Sequence, residues 1–339
     1  MRRKFHRELT RLLAVSFGWL LAVQATVKAA ILNKDSAPVA ITVFADGRPL
    51  GRVFRLDEDG YFVGPRIIGA PKKIYSADQK AEFRFVSQDG LSGLSLLRAL
   101  NPSELPGGSL ELPSDRTDGM VLRGYLVSGD LTRPVVAEVT GRMRAGVLDG
   151  LNRLVPINEI RYEQVANPST ILFFKDNELH GGLVSVLSQT ISVQNSGVAA
   201  DAMQSSPANS LGFTNQQFQN YGPAGLTVGY LLGPDIMRRV IEGFRSPARK
   251  VVYPFFGVVC RNAISGGAEI VEVTQNSPAN LSGLREGDVL VKVGRYAIKN
   301  QFDFSAVVWK FRPGEKVAVG YQRQLVRHSG TVVLSGISY

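Results

Sequence analysis

From residue 37 to residue 233 the chain repeats one pattern: short apolar stretches of strand length separated by turn signals, with helical periodicity almost absent until Asp235. Between Val39 and Val63 the turns are Asp46-Gly47 and Asp59-Gly60, and Asp-Gly supplies the positive φ that tight β-hairpins need. Similar stretches recur at Met120 to Val127, Val135 to Val139, Ile171 to Phe174 and Leu179 to Val186. Strands at this spacing predict an all-β barrel or sandwich. The 339 residues leave room for two domains, and 44% hydrophobic content suffices for real cores. The stretch from Gln189 to Pro223, rich in Ser, Asn, Gln and Gly, reads as a long exposed loop.

At Asp235 the period changes. Ile236, Val240 and Phe244 recur every four residues with Met237 and Ile241 beside them, which predicts an amphipathic helix over Asp235 to Phe244. A basic linker, Arg245 to Lys250, follows. A second domain then opens with a strand at Phe256 to Cys260. Ser277-Pro278-Ala279 is a helix start, because Ser caps free N–H groups and Pro at the first helical position sacrifices no bond. Gly283 closes that helix, and Val317, Val319 and Tyr321 alternate as a half-buried strand.

Composition excludes several chemistries. The single cysteine, Cys260, can form neither an intramolecular disulfide nor a thiolate zinc site. No phosphate-cradling loop, dinucleotide fingerprint or His and carboxylate cluster with metal spacing occurs, so no cofactor and no metal are expected. The net charge of +10 is concentrated at the start, and beyond residue 29 it falls to +5, with 33 basic against 28 acidic residues. No basic stripe remains to argue for nucleic acid. The first 29 residues read as a signal peptide: a basic opening, an apolar run from Leu12 to Val23, and Val27-Lys28-Ala29 before Ala30. That run is too short for a permanent membrane span, which takes about 20 residues. An exported, periplasmic protein is expected.

From about Tyr253 onward the sequence resembles a PDZ domain of the HtrA (Deg) periplasmic protease type. The matching residues are Phe255-Phe256-Gly257-Val258, Ser277-Pro278-Ala279, Gly283-Leu284-Arg285-Glu286-Gly287-Asp288, a helix from Asp303 to Phe311, and Pro313-Gly314. The resemblance implies that the loop before the first strand offers N–H groups to a C-terminal carboxylate while the peptide adds a strand along the sheet edge. It places Phe255, Phe256, Gly257 and Val258 in that site, with Phe304, Ser305 and Val308 near the groove. Gly257 is expected to let the ligand approach the backbone.

The first domain resembles the chymotrypsin-like double β-barrel that precedes the PDZ domain in the same family. Gly51 to Val63 matches the strand pair leading to the catalytic histidine, and Gly229-Tyr230-Leu231-Leu232 matches the exit from the second barrel. The expected fold is therefore mainly β, with a signal segment over 1–29, a trypsin-like double barrel over 30–245, a linker over 246–252 and a PDZ domain over 253–339. The resemblance puts Ile67 at the general base, Gly93 (or Ser92) at the acid, and Pro168 and Ser169 in the nucleophile loop. An isoleucine accepts no proton, and a glycine orients no imidazole. The mature chain holds only two histidines, His180 and His328, neither early enough for the family order His, Asp, Ser. Ser169 lacks the flanking glycines of an oxyanion hole, and His180 reads as a strand histidine with one satisfied hydrogen bond.

The resemblance thus implies a pseudoprotease that binds hydrophobic protein C-termini or unfolded polypeptides, as adaptor, holder or regulator of an active protease. Two alternatives stay open: a working serine endopeptidase with unfamiliar catalytic positions, and a structural PDZ component of an envelope or secretion assembly. Oligomeric state is also open, since Ala30 to Pro38 lacks the aromatic residues of the family's trimer contact.

Overall fold

The computed structural model describes residues 40–339 apart from 107–108, 115–118, 129–130, 149–153, 164, 166–167, 185 and 191–225. The expected signal segment and most of the Gln189 to Pro223 stretch lie outside the described residues.

The first six strands are β1 (Ala40–Ala45), β2 (Arg48–Arg55), β3 (Tyr61–Gly64), β4 (Ile74–Ser76), β5 (Glu82–Gln88) and β6 (Ser95–Ala99). They close into a barrel in the order β1-β2-β3-β6-β5-β4. Closure leaves no unpaired sheet edge. Asp46 (φ 49°) and Gly47 (φ 83°) make the turn that the Asp-Gly pair predicts. The barrel interior is filled by Val43, Val53, Phe62, Ile67, Ile74, Phe83 and Leu97.

A second sheet comprises β7 (Val121–Ser128), β8 (Leu131–Leu148), β9 (Leu154–Glu163), β10 (Leu172–Lys175), β11 (Glu178–Gly182), β12 (Val186–Thr190) and β13 (Leu226–Leu232). Its order is β11-β10-β7-β8-β9-β13, with β12 paired to β8. Val184 N–H donates to Tyr230 O at 2.9 Å, bringing the chain beyond β11 against β13 and curling the sheet into a barrel-like form. The single strand expected over Leu179 to Val186 is two: the chain leaves β10 after Gly182 and pairs next with β8.

Helix α1 (Pro234–Arg245) begins as the period change predicts and buries Ile236, Met237, Val240, Ile241 and Phe244. That stripe joins a core cluster with Phe54, Leu56, Leu96, Phe174 and Leu179 from the strands before it, and with Tyr253 and Trp309 from the part after it.

The C-terminal part pairs β14 (Tyr253–Phe255) with β21 (Ser335–Ile337). Its main sheet runs β15 (Val258–Asn262), β16 (Ala268–Val273), β17 (Val289–Val293), β19 (Lys316–Arg323), β20 (Val326–Val333), with β18 (Tyr296–Ala297) on β17. Two helices pack on it: α2 (Pro278–Leu281), capped by Ser277 as expected, and α3 (Gln301–Val308). The strand expected at Phe256 to Cys260 is interrupted, because Gly257 takes φ 89°. The helix expected from Asp303 to Phe311 starts earlier, since Asn300 Oδ1 accepts from Phe302 N at 2.9 Å and Asp303 N at 2.8 Å. Such a cap fixes the first turn.

Candidate functional site

Two regions carry the sequence-derived site residues. In the first, β3 delivers Gly64-Pro65-Arg66-Ile67 to the rim of the closed barrel. Gly51, on β2, is where this segment meets the Pro168–Thr170 turn: a Cβ at Gly51 would lie 3.0 Å from Thr170 O and 3.1 Å from Pro65 Cγ. The fold thus brings the segment after β3 and the Ser169 turn to one place. Ile67 itself turns inward. Its side chain is 8% exposed in the barrel core, and its N–H donates to Gln88 Oε1 at 2.9 Å.

Gly93 follows the tight loop Asp89 to Ser92 with φ 70°. A Cβ there would lie 3.0 Å from Arg66 Nε. The position that the resemblance gives to the acid therefore faces a guanidinium, which donates to Gly90 O at 3.3 Å. Ser169 is exposed on its 3-10 turn, and no hydrogen bond ties its hydroxyl to a base among the described residues. His180 lies in β11 as expected, 5% exposed. The expected satisfied hydrogen bond is not made: Nε2 has no hydrogen-bond partner and stands 3.5 Å from Glu178 Oε2. That separation is too long for a good bond, and burial pushes the imidazole pKa down. His328 is stacked on Tyr321 in the β19–β20 hairpin, with ring centroids 5.3 Å apart.

The second region is the edge of the C-terminal sheet. Strand β15 is terminal in the strand order, pairing on one side with β16. Just before it, the carbonyl of Phe256 accepts from Ala279 N at 3.0 Å and that of Gly257 from Thr274 N at 3.0 Å. The N–H groups of Phe256 and Gly257 donate to no backbone acceptor among the described residues. The loop therefore turns its carbonyls inward and keeps two donors available, as capture of a carboxylate requires.

Side chains called to this site divide differently from the expectation. Phe255 belongs to β14, opposite Ser335. Phe256 is a core residue, edge-on to Phe304 with centroids 5.1 Å apart, and Phe304 and Val308 are likewise buried in that core. Their burial packs α3 onto the sheet and leaves little of them to line a groove. Ser305 is engaged elsewhere, its hydroxyl donating to Leu154 O on β9 at 2.6 Å. Val258 is partly buried at the edge strand's first position. Gly257 is required by the fold itself: besides its positive φ, a Cβ there would lie 2.1 Å from Ser277 Cβ.

Sequence reasoning missed the contacts that fix the C-terminal part onto the barrels. Trp309 Nε1 joins Ser305 on Leu154 O, Lys310 Nζ pairs with Asp235 at 2.9 Å, and Arg239 donates to Phe311 O at 2.7 Å. Tyr253 donates its hydroxyl to the buried carboxylate of Asp89 at 2.7 Å. Burial, with the Asp89 charge beside it, raises the Tyr253 pKa well above the usual phenol range. Gly90 N–H donates to Tyr339 O at 3.0 Å. Arg249, in the basic stretch, is held by Asp57 at 2.7 Å and Asp59 at 3.3 Å and lies over the Tyr61 ring at 3.7 Å. That pairing ties its charge to two carboxylates of the first barrel. Cys260, its pKa pushed up to about 12 by burial, carries no reactive thiolate at neutral pH. Among the described residues no group of three or more His, Cys, Asp or Glu could hold a metal ion, and no helix is long and apolar enough to cross a membrane.

The PDZ domain family matches residues 254–333. A curated relative, the "Serine protease HtrA-like" of Staphylococcus haemolyticus, is 22% identical over 289 residues, covering 77% of this chain; the chain spans 40% of that relative's length. Among solved structures, the HtrA-type protease AlgW with a tripeptide aligns at TM-score 0.59 and 14% identity, over 89% of this chain and 95% of that one. AlgW with a decapeptide gives 0.58 at 15% identity over 86% and 83% of the two chains. The serine endoprotease from Yersinia pestis gives 0.54 at 15% identity over 89% and 95%. The chain is HtrA-like, a mainly β, trypsin-like fold of barrel-like sheets followed by a C-terminal PDZ domain.

Proposed function

We propose that this chain is an exported, periplasmic pseudoprotease that captures hydrophobic protein C-termini or exposed strands at its PDZ edge, and serves as adaptor, holder or regulator of an active protease. The observation that carries the loss of catalysis is the fate of the imidazoles. Serine attack needs a base within hydrogen-bond reach. The family's base position is filled by the buried side chain of Ile67, His180 is buried in β11, and His328 is stacked on Tyr321 in the PDZ hairpin. The group facing Gly93 is the Arg66 guanidinium, not an imidazole. Binding is supported by the unpaired edge of β15 and the two available amides at Phe256 and Gly257.

The test is incubation of the purified chain with unfolded casein, alongside Ser169→Ala, and titration with peptides ending in hydrophobic residues. The expected result is no cleavage by either protein, with peptide binding that disappears on amidating the peptide C-terminus. Cleavage by wild type but not by Ser169→Ala would establish a working endopeptidase instead. A single stable assembly partner with no affinity for free C-termini would favour the structural role.

A further inference from the structure

The β19–β20 hairpin breaks a local rule. Its two-residue turn, Gln324-Leu325, holds both residues at positive φ, 51° and 67°, closed by the pair Arg323 and Val326. This backbone favours Asn-Gly, and a branched side chain there is strained. The strain is not offset by packing, because Leu325 is 89% exposed. Val326, next in the chain, is 58% exposed, and Leu281 at the end of α2 is 78% exposed. Arg323 Nη2 donates to Gly283 O at 2.9 Å, and α2 packs against β20, so the C-terminal end of α2, where Leu281 sits, lies near the base of the turn. Strain without local compensation, at a solvent-facing aliphatic, is a mark of function.

We propose that this tip is a membrane-contact finger, in which Leu325, Val326 and Leu281 enter the headgroup boundary of an anionic bilayer. Shape favours lipid over a protein partner. A specific protein interface ordinarily needs about 800 Å² a side, whereas a bilayer asks only for protruding apolar side chains with cations at headgroup level. The cations are present: Arg285 and Arg327 are exposed beside the tip. Arg323 is neutralised by Asp288 at 2.7 Å, and Glu286 is the one exposed acid within the Gly283 to Asp288 turn. The finger leaves the β15 edge free, so lipid contact and peptide capture can operate together.

The test is co-sedimentation of the full chain with phosphatidylcholine vesicles, with and without phosphatidylglycerol. Binding is expected only to the anionic vesicles. Leu325→Asn should lower partitioning about ten-fold or more, the scale of withdrawing one leucine from an apolar phase. The same change should raise the melting temperature, because Asn tolerates the left-handed region. Arg285→Glu with Arg327→Glu should abolish the preference for anionic lipid. Ile264→Asn, which alters a fully exposed aliphatic on the β15–β16 turn, should change nothing. The proposal is overturned if neither vesicle binds, if Leu325→Asn binds like wild type, or if Ile264→Asn weakens binding as much. A protein crosslinked through the tip in the absence of vesicle binding would also overturn it.

Discussion

The cleft beside Ile67 and the edge beside Gly257 differ in what would carry their function: side chains in the one, main chain in the other. In the cleft the frame survives: Gly51 still seats the segment after β3 against the Ser169 turn. At the positions that the resemblance gives to the base and the acid stand Ile67 and Gly93. At the PDZ edge the groups proposed to act are backbone amides and an open strand, which substitutions other than proline leave in place. Chemistry carried by three side chains is lost in a few codon changes, whereas recognition carried by the main chain persists while the fold does. That contrast can be broken at definite points.

The largest expected effect is at Gly257. Gly257→Val combines a forbidden φ with a clash on Ser277, costing roughly 2 to 5 kcal/mol. Both peptide binding and the melting temperature should fall; binding that survives would move the carboxylate site away from this loop. Next is Tyr253→Phe. It leaves the buried Asp89 carboxylate short of a donor, at about 1 to 3 kcal/mol, and should lower stability without changing peptide affinity. Ser305→Ala removes one bond to Leu154, at about 1 kcal/mol. Peptide affinity in calorimetry should stay put, and a selective loss of affinity would return Ser305 to the groove.

A smaller effect follows from His180. Its folded pKa is lowered by burial, so the unfolded chain binds the extra proton more readily. Stability therefore rises with pH and is lost as pH falls below the ordinary histidine value of about 6.5. Lys175 works in the same direction and Glu178 against it. Thermal melts between about pH 7.5 and 5.5 should show this slope, and His180→Asn should flatten it. The smallest effect is none at all: Ile67→His with Gly93→Asp should leave casein intact. The new carboxylate would be captured by Arg66, whose Nε stands 3.0 Å from the Gly93 Cβ site. Cleavage by that double variant would show that the cleft had lost only its side chains.

Local signals in the sequence carried well where local physics decides. Asp46-Gly47, the Ser277 cap and the stripe Ile236, Val240 and Phe244 each specify one conformation. The long ladder of β8 and β9 was harder to see. Its register shifts between Val139 and Met143, and a bulge reverses the in-out alternation on which strand patterns depend. Helix α3 was legible as a helix but not in its orientation. Periodicity distinguishes an apolar face from a polar one, yet Phe304 packs on its own sheet while Ser305 meets a strand 151 residues earlier. Gly257 was noticed for its missing side chain; what fills the space became visible only with Ser277 in place.

The cluster that joins α1 to Phe54 and Phe174 also contains Trp309, with Tyr339 packed against it. Synthesis proceeds from the N-terminus, and domains ordinarily fold as they emerge. Here the core beneath the barrels lacks its largest side chain until residue 309 has been made. The barrels also have cores of their own, so what stays open until Trp309 arrives is the apolar surface of this shared cluster. Until then that surface is the part of the barrels exposed to a chaperone or to aggregation.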